Sequence, residues 1–245
     1  MVNKEFNPSI SHPLFFISKG LYTNISKFAP NFKGKLLDFG CGAKPYKDLF
    51  VNVEEYIGVD YNSEGHSHQD EAIDFYYDGE VLPFEDNSFD SIFTSEVFEH
   101  VFSLHQILKE LNRVLKKNGQ ILITCPFVWE EHEVPNDYAR YSQFALKDLI
   151  TKAGFEIVTF KKSGNTLQAI HQLFIVYIND YWLHNVIFFS RFNLITCIAK
   201  SSDPSDSDHE GSNARIYFAP DSPAISTDWP SPSFIVQANI LLTLK

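Results

Sequence analysis

The sequence feature that most constrains the fold is a regular alternation between short apolar runs and longer segments with helical periodicity. Runs of strand length lie at residues 35–39, 55–59, 73–77, 90–94, 120–124, 155–160 and 235–244. Segments of helix length lie at residues 12–29, 103–119 and 142–154. Strands that alternate with helices in this way are typical of a parallel sheet with helices on both faces. We therefore predict an α/β fold with a mostly parallel, seven-stranded sheet.

Two of these helices carry recognisable end signals. Ser103, with Gln106 three positions later, predicts a capping box, and Gly119 predicts the carboxyl-terminal cap of the same helix. The next helix is predicted to begin after a Ser142 cap and to end at Gly154. These local signals set the expected bounds of both helices.

The pattern changes after residue 163. Residues 164–200 are rich in Leu, Ile, Phe and Tyr and predict a helical insertion before the last strand. Three interpretations of this insertion remain: a cap over the substrate pocket, a homodimer interface, or a helix pair lying on a membrane surface. Residues 201–233 are acidic and rich in Ser and Pro, so a mobile loop is predicted there. The α/β domain is accordingly predicted to comprise residues 1–163 with 234–245.

Charge and cysteine content exclude several classes of function. The formal net charge is −11 and no run of Lys and Arg stands out, so a nucleic-acid partner is disfavoured. Cys41, Cys125 and Cys197 are widely spaced; they predict neither a disulfide framework nor a zinc ligand set, which favours a cytoplasmic location and no metal. Residues 1–9 lack the order of a signal peptide, and no apolar run approaches the roughly 20 residues of a spanning helix.

A glycine-rich turn follows the first strand at once. This strand carries Asp38 near its end, and Gly40-Cys41-Gly42 puts bare backbone at the carboxyl edge of the sheet, where open α/β folds bind ligands. Asp60 comes 22 positions after Asp38, and a carboxylate there accepts hydrogen bonds from both hydroxyls of a ribose. A nicotinamide dinucleotide favours a third glycine at position 45, where Pro45 stands instead.

Five stretches in a fixed order extend this pattern. They are Leu-Leu-Asp-Phe-Gly-Cys-Gly (36–42), Tyr-Ile-Gly-Val-Asp (56–60), Leu-Pro-Phe-Glu-Asp-Asn-Ser-Phe-Asp (82–90), Glu-Val-Phe-Glu-His-Val (96–101) and Leu-Lys-Glu-Leu-Asn-Arg-Val-Leu-Lys-Lys-Asn-Gly (108–119). On these motifs, residues 12–162 resemble the class I S-adenosylmethionine-dependent methyltransferases. The resemblance implies a Rossmann-like domain, S-adenosylmethionine as cofactor, and methyl transfer as the reaction.

The resemblance also implies which residues hold the cofactor. The amino-acid end of the cofactor would be held by Asp38, Phe39, Gly40, Cys41 and Gly42, with Tyr46 in the turn that follows. Its ribose and adenine would be held by Asp60, Tyr61, Asp78 and Gly79. Its methionine part would be held by Ser95 and Glu96. The alternatives are that Asp38 and Asp60 cap helices and that Asp78 is an ordinary turn residue. Glu99 and His100 are expected to cap or pack a short helix.

The loop after the fifth strand, residues 126–142, is predicted to lie over the mouth of the pocket. It resembles a loop of methyltransferases linked to bacterial glycan and surface-polysaccharide biosynthesis, which implies an acceptor hydroxyl on a small molecule, a sugar or a lipid-linked glycan. Its candidate catalytic residues are His132 as general base, Arg140 to grip an anion, and the aromatic Tyr138. A structural role for His132, and a role for Arg140 in tying the loop to nearby glutamates, are the alternatives.

Two other functions compete with methyl transfer. A non-catalytic cofactor-binding or regulatory partner protein would share the same cofactor site. A nicotinamide-dependent oxidoreductase would also use a Rossmann-like domain, but Pro45 and the lack of a Tyr-x-x-x-Lys pair disfavour it. Cofactor binding and turnover therefore need separate tests.

Overall fold

The computed structural model describes residues 6–9, 12–61 and 72–179, together with the backbone of 237–244. Its helices are α1 (Phe15–Phe28), α2 (Leu104–Val114), α3 (Gln143–Lys152) and α4 (Thr166–Tyr177). Its strands are β1 (Gly34–Phe39), β2 (Val53–Tyr61), β3 (Phe75–Tyr77), β4 (Phe89–Ser95), β5 (Leu115–Pro126), β6 (Phe155–Lys162) and β7 (Gln237–Leu244). Short 3-10 helices lie at Ala29–Asn31, Lys47–Leu49 and Phe98–His100.

The strands form one sheet with the order β3-β2-β1-β4-β5-β7-β6. Neighbouring strands are parallel, except that β7 runs antiparallel to both β5 and β6. The mostly parallel α/β sheet predicted from the sequence is therefore confirmed. Because β1 lies between β2 and β4, the strand order reverses at β1. Open α/β sheets bind their ligands outside the carboxyl ends of the strands at such a reversal.

Apolar residues of the strands point alternately to the two faces of the sheet, so the core has two parts. On one face, Leu37 and Ile92 pack with the apolar residues of α2 and α3. On the other face, Leu36 and Phe93 pack with those of α1, including Ile25. All five side chains are buried. Helices therefore cover both faces of the sheet, as the sequence predicts.

The carboxyl end of α2 differs from the prediction. The helix ends at Val114, and Leu115 already pairs with Phe89 as the first residue of β5. Ser103 does directly precede the first residue of α2, but its side chain makes no capping hydrogen bond, so the predicted capping box does not form. Gly119 lies inside β5 and caps no helix, so the predicted carboxyl-terminal cap is wrong. The reason is tertiary: pairing in the sheet satisfies the backbone groups that a cap serves, and it buries Leu115 completely.

The end signals of α3 are confirmed. The backbone N–H of Ala145 donates to Ser142 Oγ at 3.3 Å, which is the expected amino-terminal cap. At the other end, Gly154 has a φ of 92°, a left-handed conformation that favours glycine. The strand β6 follows at once with Phe155.

The insertion predicted at residues 164–200 is described as far as residue 179. Helix α4 forms there, and it exposes an apolar stripe at helical spacing that consists of Leu167, Ile170, Phe174 and Tyr177. The rest of the insertion, and the loop predicted at 201–233, lie outside the described residues. The domain bounds and the three interpretations of the insertion therefore stay predictions. None of the described helices is long and apolar enough to cross a membrane.

Replacing the two serines tests the capping assignment with a matched pair of variants. Only Ser142 accepts a capping hydrogen bond. Because a lost amino-terminal cap costs about 1 kcal/mol, Ser142→Ala should lower the free energy of unfolding by about that amount, and Ser103→Ala by less than about half of it. Urea denaturation followed by circular dichroism measures both. Equal losses in the two variants would contradict the assignment.

Candidate functional site

The carboxyl ends of β1, β2 and β4 open into a cleft with a volume of about 880 Å³. The residues predicted to hold a cofactor all line it: Asp38, Phe39, Gly40, Cys41, Gly42, Tyr46, Asp60, Tyr61, Asp78, Gly79, Ser95 and Glu96. They belong to the ends of β1, β2 and β4, or to the segments just after β1, β3 and β4. Parallel pairing explains the convergence, because it brings the carboxyl ends of neighbouring strands to the same edge.

The turn after β1 is held in place by contacts on two sides. The N–H of Gly40 donates to the carbonyl of Val59 at 2.9 Å, which ties the turn to β2. Gly40 has a φ of 70°, and a Cβ on it would lie 2.3 Å from Cγ2 of Val97. No side chain fits there, so the backbone of the turn packs directly against the segment after β4.

The carboxylate of Asp60 is oriented by two backbone donors. Its Oδ2 accepts a hydrogen bond from Gly42 N at 2.7 Å, and its Oδ1 accepts one from Tyr61 N at 2.8 Å. Asp60 therefore caps no helix but closes the glycine turn at the edge of the cleft.

Asp38 is an ionisable group buried beneath the cleft. Its side chain is almost fully buried, and its Oδ2 accepts a hydrogen bond from the Tyr56 hydroxyl at 2.5 Å. Burial raises the pKa of Asp38 to about 7; the hydrogen bond from Tyr56 and the charge of Lys44 oppose that shift, and the charge of Asp60 adds to it. A cationic ligand placed near Asp38 would favour its charged form.

Asp78 and Gly79 shape the wall of the cleft next to Tyr61. Asp78 Oδ1 accepts from the N–H groups of Glu80 and Val81 at 2.9 Å each, and these bonds hold the pKa of Asp78 below its ordinary value. Asp78 thus builds a turn, as the alternative interpretation holds, and also lines the cleft. A Cβ on Gly79 would lie 3.1 Å from the ring of Tyr61, so the missing side chain leaves room for that ring.

Ser95 and Glu96 are joined through a residue of the neighbouring strand. The hydroxyls of Ser95 and Thr124 lie 2.8 Å apart, and Thr124 Oγ1 donates to Glu96 Oε1 at 2.7 Å. Since Thr124 gives its hydrogen to Glu96, Ser95 donates to Thr124. The Glu96 carboxylate is therefore held at the floor of the cleft by β5.

The loop at residues 126–142 docks on the 3-10 helix Phe98–His100. The N–H groups of Tyr138 and Ala139 both donate to the carbonyl of Glu99, at 2.8 and 3.2 Å. His100 Nδ1 lies 2.9 Å from the carbonyl oxygen of Asn136. These contacts bring Tyr138 to the cleft, as predicted for a loop over its mouth.

Arg140 holds this loop together from inside. Its guanidinium bonds both carboxylate oxygens of Asp137, at 2.5 and 2.7 Å, and donates to the carbonyl of Glu130 at 2.9 Å. The bidentate pair lowers the pKa of Asp137 and raises that of Arg140. In the described structure Arg140 thus ties the loop down through Asp137, and no carboxylate of a neighbouring glutamate bonds to it.

Among the described residues, His12 and His100 both line the cleft, and the sequence interpretation assigned His100 to packing. His132 and Arg140 are not among the lining residues, but the ring of His132 packs edge-to-face on that of His100, with 4.7 Å between centroids. The signal for His100 was its place in Glu-Val-Phe-Glu-His-Val, directly after a strand that ends at the cleft. A residue's position directly after a strand end is thus better evidence that it lines the cleft than its residue type in a more distant loop.

The chemistry of the cleft suits a cationic cofactor and does not suit a pyrophosphate. Among the described residues that line it there is no Lys or Arg. A dinucleotide also needs a helix amino terminus after the first strand, and here only the 3-10 helix Lys47–Leu49 lies between β1 and β2. The acidic lining residues are Asp38, Asp60, Asp78, Glu80, Glu96 and Glu133. A sulfonium and an α-ammonium group fit this set, so the site fits S-adenosylmethionine.

A family comparison defines the class. Residues 37–123 match the family described as "Methyltransferase domain", a span that contains β1, β2, β3, β4, α2 and most of β5. This match supports an S-adenosylmethionine-dependent methyltransferase domain at residues 37–123, as the sequence motifs imply, with S-adenosylmethionine as its cofactor.

More particular likeness is to three methyltransferases. The chain is 32% identical over 95 residues to malonyl-[acyl-carrier protein] O-methyltransferase of Erwinia pyrifoliae, covering 37% of this chain and 36% of that protein. It is 33% identical over 99 residues to a sterol 24-C-methyltransferase of Gibberella zeae, covering 35% and 26%. It is 28% identical over 131 residues to mitochondrial 2-methoxy-6-polyprenyl-1,4-benzoquinol methylase of Bos taurus, covering 41% and 40%. The chain thus spans less than half the length of each relative.

Solved structures agree on the fold. A SAM-dependent methyltransferase from Archaeoglobus fulgidus has a TM-score of 0.55 at 15% identity, covering 98% of this chain and 96% of that one. An S-adenosylmethionine-dependent methyltransferase from Mesorhizobium loti has a TM-score of 0.52 at 10% identity, covering 93% and 99%. Identities this low show a shared fold and carry no information on the acceptor.

The raised pKa of Asp38 predicts a pH-dependent contribution to stability. Because this pKa is about 7 in the folded protein against an ordinary 3.8, the contribution is fully present below 3.8 and is lost as the pH rises through about 7. Between about pH 5.5 and 8.5 the wild type should therefore lose more free energy of unfolding than Asp38→Asn, whose amide does not titrate. Urea titrations at both pH values measure this, and Asp148→Asn, on the exposed face of α3, should keep the wild-type slope. An unchanged slope in Asp38→Asn would contradict the burial argument.

Proposed function

We propose that this protein transfers the methyl group of S-adenosylmethionine to a hydroxyl of an acceptor that enters the cleft beside the loop at residues 126–142. The observation that carries the proposal is that every residue predicted from the sequence to hold the cofactor lines the same cleft. The described residues that line this cleft include no lysine or arginine. The cofactor supplies an electrophilic methyl group on a sulfonium. The protein has to bind both molecules and align the acceptor oxygen with that methyl group.

The proposed cofactor contacts follow the positions of the carboxylates. Asp60, fixed by Gly42 and Tyr61, accepts hydrogen bonds from the ribose hydroxyls. The ammonium group of the cofactor is proposed to bind beside the glycine turn, where the negative charge of Asp38 would stabilise it. The ring of Tyr61, against Gly79, offers an aromatic wall for adenine.

The acceptor end of the cleft is proposed to lie around His100 and Tyr138. Tyr138 packs edge-to-face on Phe102 at 5.3 Å, and both rings are exposed, 46% and 82% respectively. An exposed aromatic pair of this kind offers a stacking surface for a sugar ring or another flat apolar face. This supports a sugar, lipid-linked glycan or small-molecule acceptor in bacterial glycan or surface-polysaccharide biosynthesis.

The acceptor oxygen needs a group that takes over its proton or lowers its pKa. The sequence gives His132 as a candidate base, and His132 packs against His100, which lines the cleft. We therefore assign this role to the histidine pair rather than to one ring. Arg140 supports the pair by fixing the loop through Asp137, and Tyr138 contributes the wall.

The named activities of the relatives set the alternatives for the acceptor. The relatives are named for a malonylated carrier protein, a sterol and a polyprenyl-benzoquinol. A lipid-like acceptor is therefore the second candidate, and the exposed apolar stripe of α4 would then lie near a lipid surface. Incubation with S-adenosylmethionine labelled in the methyl group, and with a panel of sugars, lipid-linked glycans, quinols and sterols, separates the candidates. Label in a sugar hydroxyl supports the first proposal, and label only in quinol or sterol replaces it by the second.

Loss of the Asp60 carboxylate should weaken cofactor binding. A hydrogen bond to a charged group contributes about 1.5–3 kcal/mol, so Asp60→Ala is expected to raise the Kd for S-adenosylhomocysteine by about tenfold to a hundredfold. Isothermal titration calorimetry measures the Kd, and a thermal melt of the same sample verifies folding. Asp148→Ala, an exposed carboxylate on α3, is the matched control and should bind as the wild type does. Wild-type affinity in Asp60→Ala would remove Asp60 from the site.

Binding and turnover are then compared on one preparation. Micromolar binding of S-adenosylhomocysteine without transfer to any acceptor of the panel would favour the non-catalytic partner protein. Binding of NADH in its place would reverse the cofactor assignment. The expected result is binding of S-adenosylhomocysteine alone, together with transfer.

A further inference from the structure

Three potential ligand groups meet beneath the loop at residues 126–142. Glu99 and His100 belong to the 3-10 helix after β4, and His132 comes from the loop after β5. One ligand atom from each lies within 4.8 Å of the other two. We call these residues the Glu99–His100–His132 cluster. It adjoins the cleft, because His100 lines it.

Glu99 has a carboxylate that nothing in the described structure satisfies. The side chain is completely buried, and neither Oε1 nor Oε2 has a hydrogen-bond partner. His100 Nε2 lies 3.8 Å from Oε1, too far for a hydrogen bond. A buried carboxylate without partners is strongly unfavourable, and buried charges in proteins are paired or bind metals. The position thus calls for a cation.

Both imidazoles are held with Nε2 available. His100 Nδ1 lies 2.9 Å from the carbonyl oxygen of Asn136, so Nδ1 carries the hydrogen. His132 Nδ1 lies 3.2 Å from the carbonyl of Glu130 and 3.2 Å from Asp137 Oδ2. Both of these oxygens can only accept a hydrogen bond, whereas Arg140, 3.3 Å from the same nitrogen, is the one donor near it. We therefore infer that the hydrogen of the neutral His132 ring is on Nδ1. Metal-binding histidines show this arrangement, in which the second ring nitrogen donates to a carbonyl or carboxylate.

We propose that the Glu99–His100–His132 cluster binds a divalent transition-metal ion of the zinc class, through Nε2 of each histidine and the Glu99 carboxylate. Two histidines and one carboxylate form a known ligand set for such ions. Bonds of about 2.1 Å set tetrahedral ligand atoms about 3.4 Å apart, so atoms that now lie within 4.8 Å of one another need to approach by at most about 1.4 Å. The charge of Arg140 is neutralised by its bidentate partner Asp137 and does not oppose a cation.

Three protein ligands leave one coordination position open, as in catalytic zinc sites. His100 lines the cleft, and so does Glu133, whose Oε2 lies 3.7 Å from His100 Nε2. An acceptor hydroxyl bound at the open position would have its pKa lowered by the metal. This consequence rests on the proposed function, whereas metal binding itself does not.

Titration of the full chain with Zn²⁺ tests the site directly. The metal-free protein, prepared with a chelator, should bind one Zn²⁺ per chain in a calorimetric titration. His100→Ala, His132→Ala and Glu99→Gln should each raise the Kd by tenfold or more, because each removes one ligand. The matched controls are His105→Ala on the exposed face of α2 and Glu131→Gln on the exposed loop, and they should bind as the wild type does.

Two further readouts keep the outcome clear. Co²⁺ substitution should give visible absorption bands typical of nitrogen and oxygen ligands, lost in His132→Ala. Glu99→Gln is nearly isosteric, so a preserved thermal melt with lost metal binding excludes a folding defect. The proposal is overturned if the wild type binds no Zn²⁺, or if the cluster variants bind it as the two controls do. S-Adenosylhomocysteine titration of the same samples reports on the cofactor site independently.

Discussion

The connection between the ends of β1 and β2 is the interaction on which the rest of the site depends. The turn at Gly40 hydrogen-bonds to Val59, and Gly42 donates to the Asp60 carboxylate. These hydrogen bonds fix both the backbone of the turn and the orientation of the Asp60 carboxylate. Because Gly40 has no side chain, the segment after β4 packs on the same turn at Val97. Three strand ends are thereby held in one geometry.

The proposed acceptor side of the cleft is built on the other end of that segment. The carbonyl of Glu99 receives two backbone donors from the loop at residues 126–142, and Arg140 braces the loop through Asp137. A short helix after β4 therefore positions a loop that follows β5. The glycine turn and this loop both line the cleft. A cofactor held at one and an acceptor held at the other would meet between them, which is the geometric requirement for methyl transfer.

Sequence reasoning succeeded where a local pattern coincides with a strand end and failed where distant segments compete for the same residues. The residues predicted to hold the cofactor line one cleft because parallel strands bring their ends together whatever the details of packing. The end of α2 was misplaced because Leu115 gains more from burial in β5 than Gly119 offers as a cap. His100 was taken for a packing residue because nothing in its own segment shows that a loop 32 positions away would bring His132 against it.

The sequence alone determined the mostly parallel α/β class, the resemblance to methyltransferases and the set of residues that line the cleft. Hydrophobic period, glycine positions and acids at strand ends are local properties, so the sequence shows them directly. Only the tertiary structure decided what those residues do beside one another: that Asp60 closes the turn, that Asp38 is buried with a raised pKa, and that Arg140 pairs with Asp137. Burial and pairing depend on which segments meet in space. The energies that set a pKa or orient an imidazole therefore come from contacts that no single stretch of sequence contains.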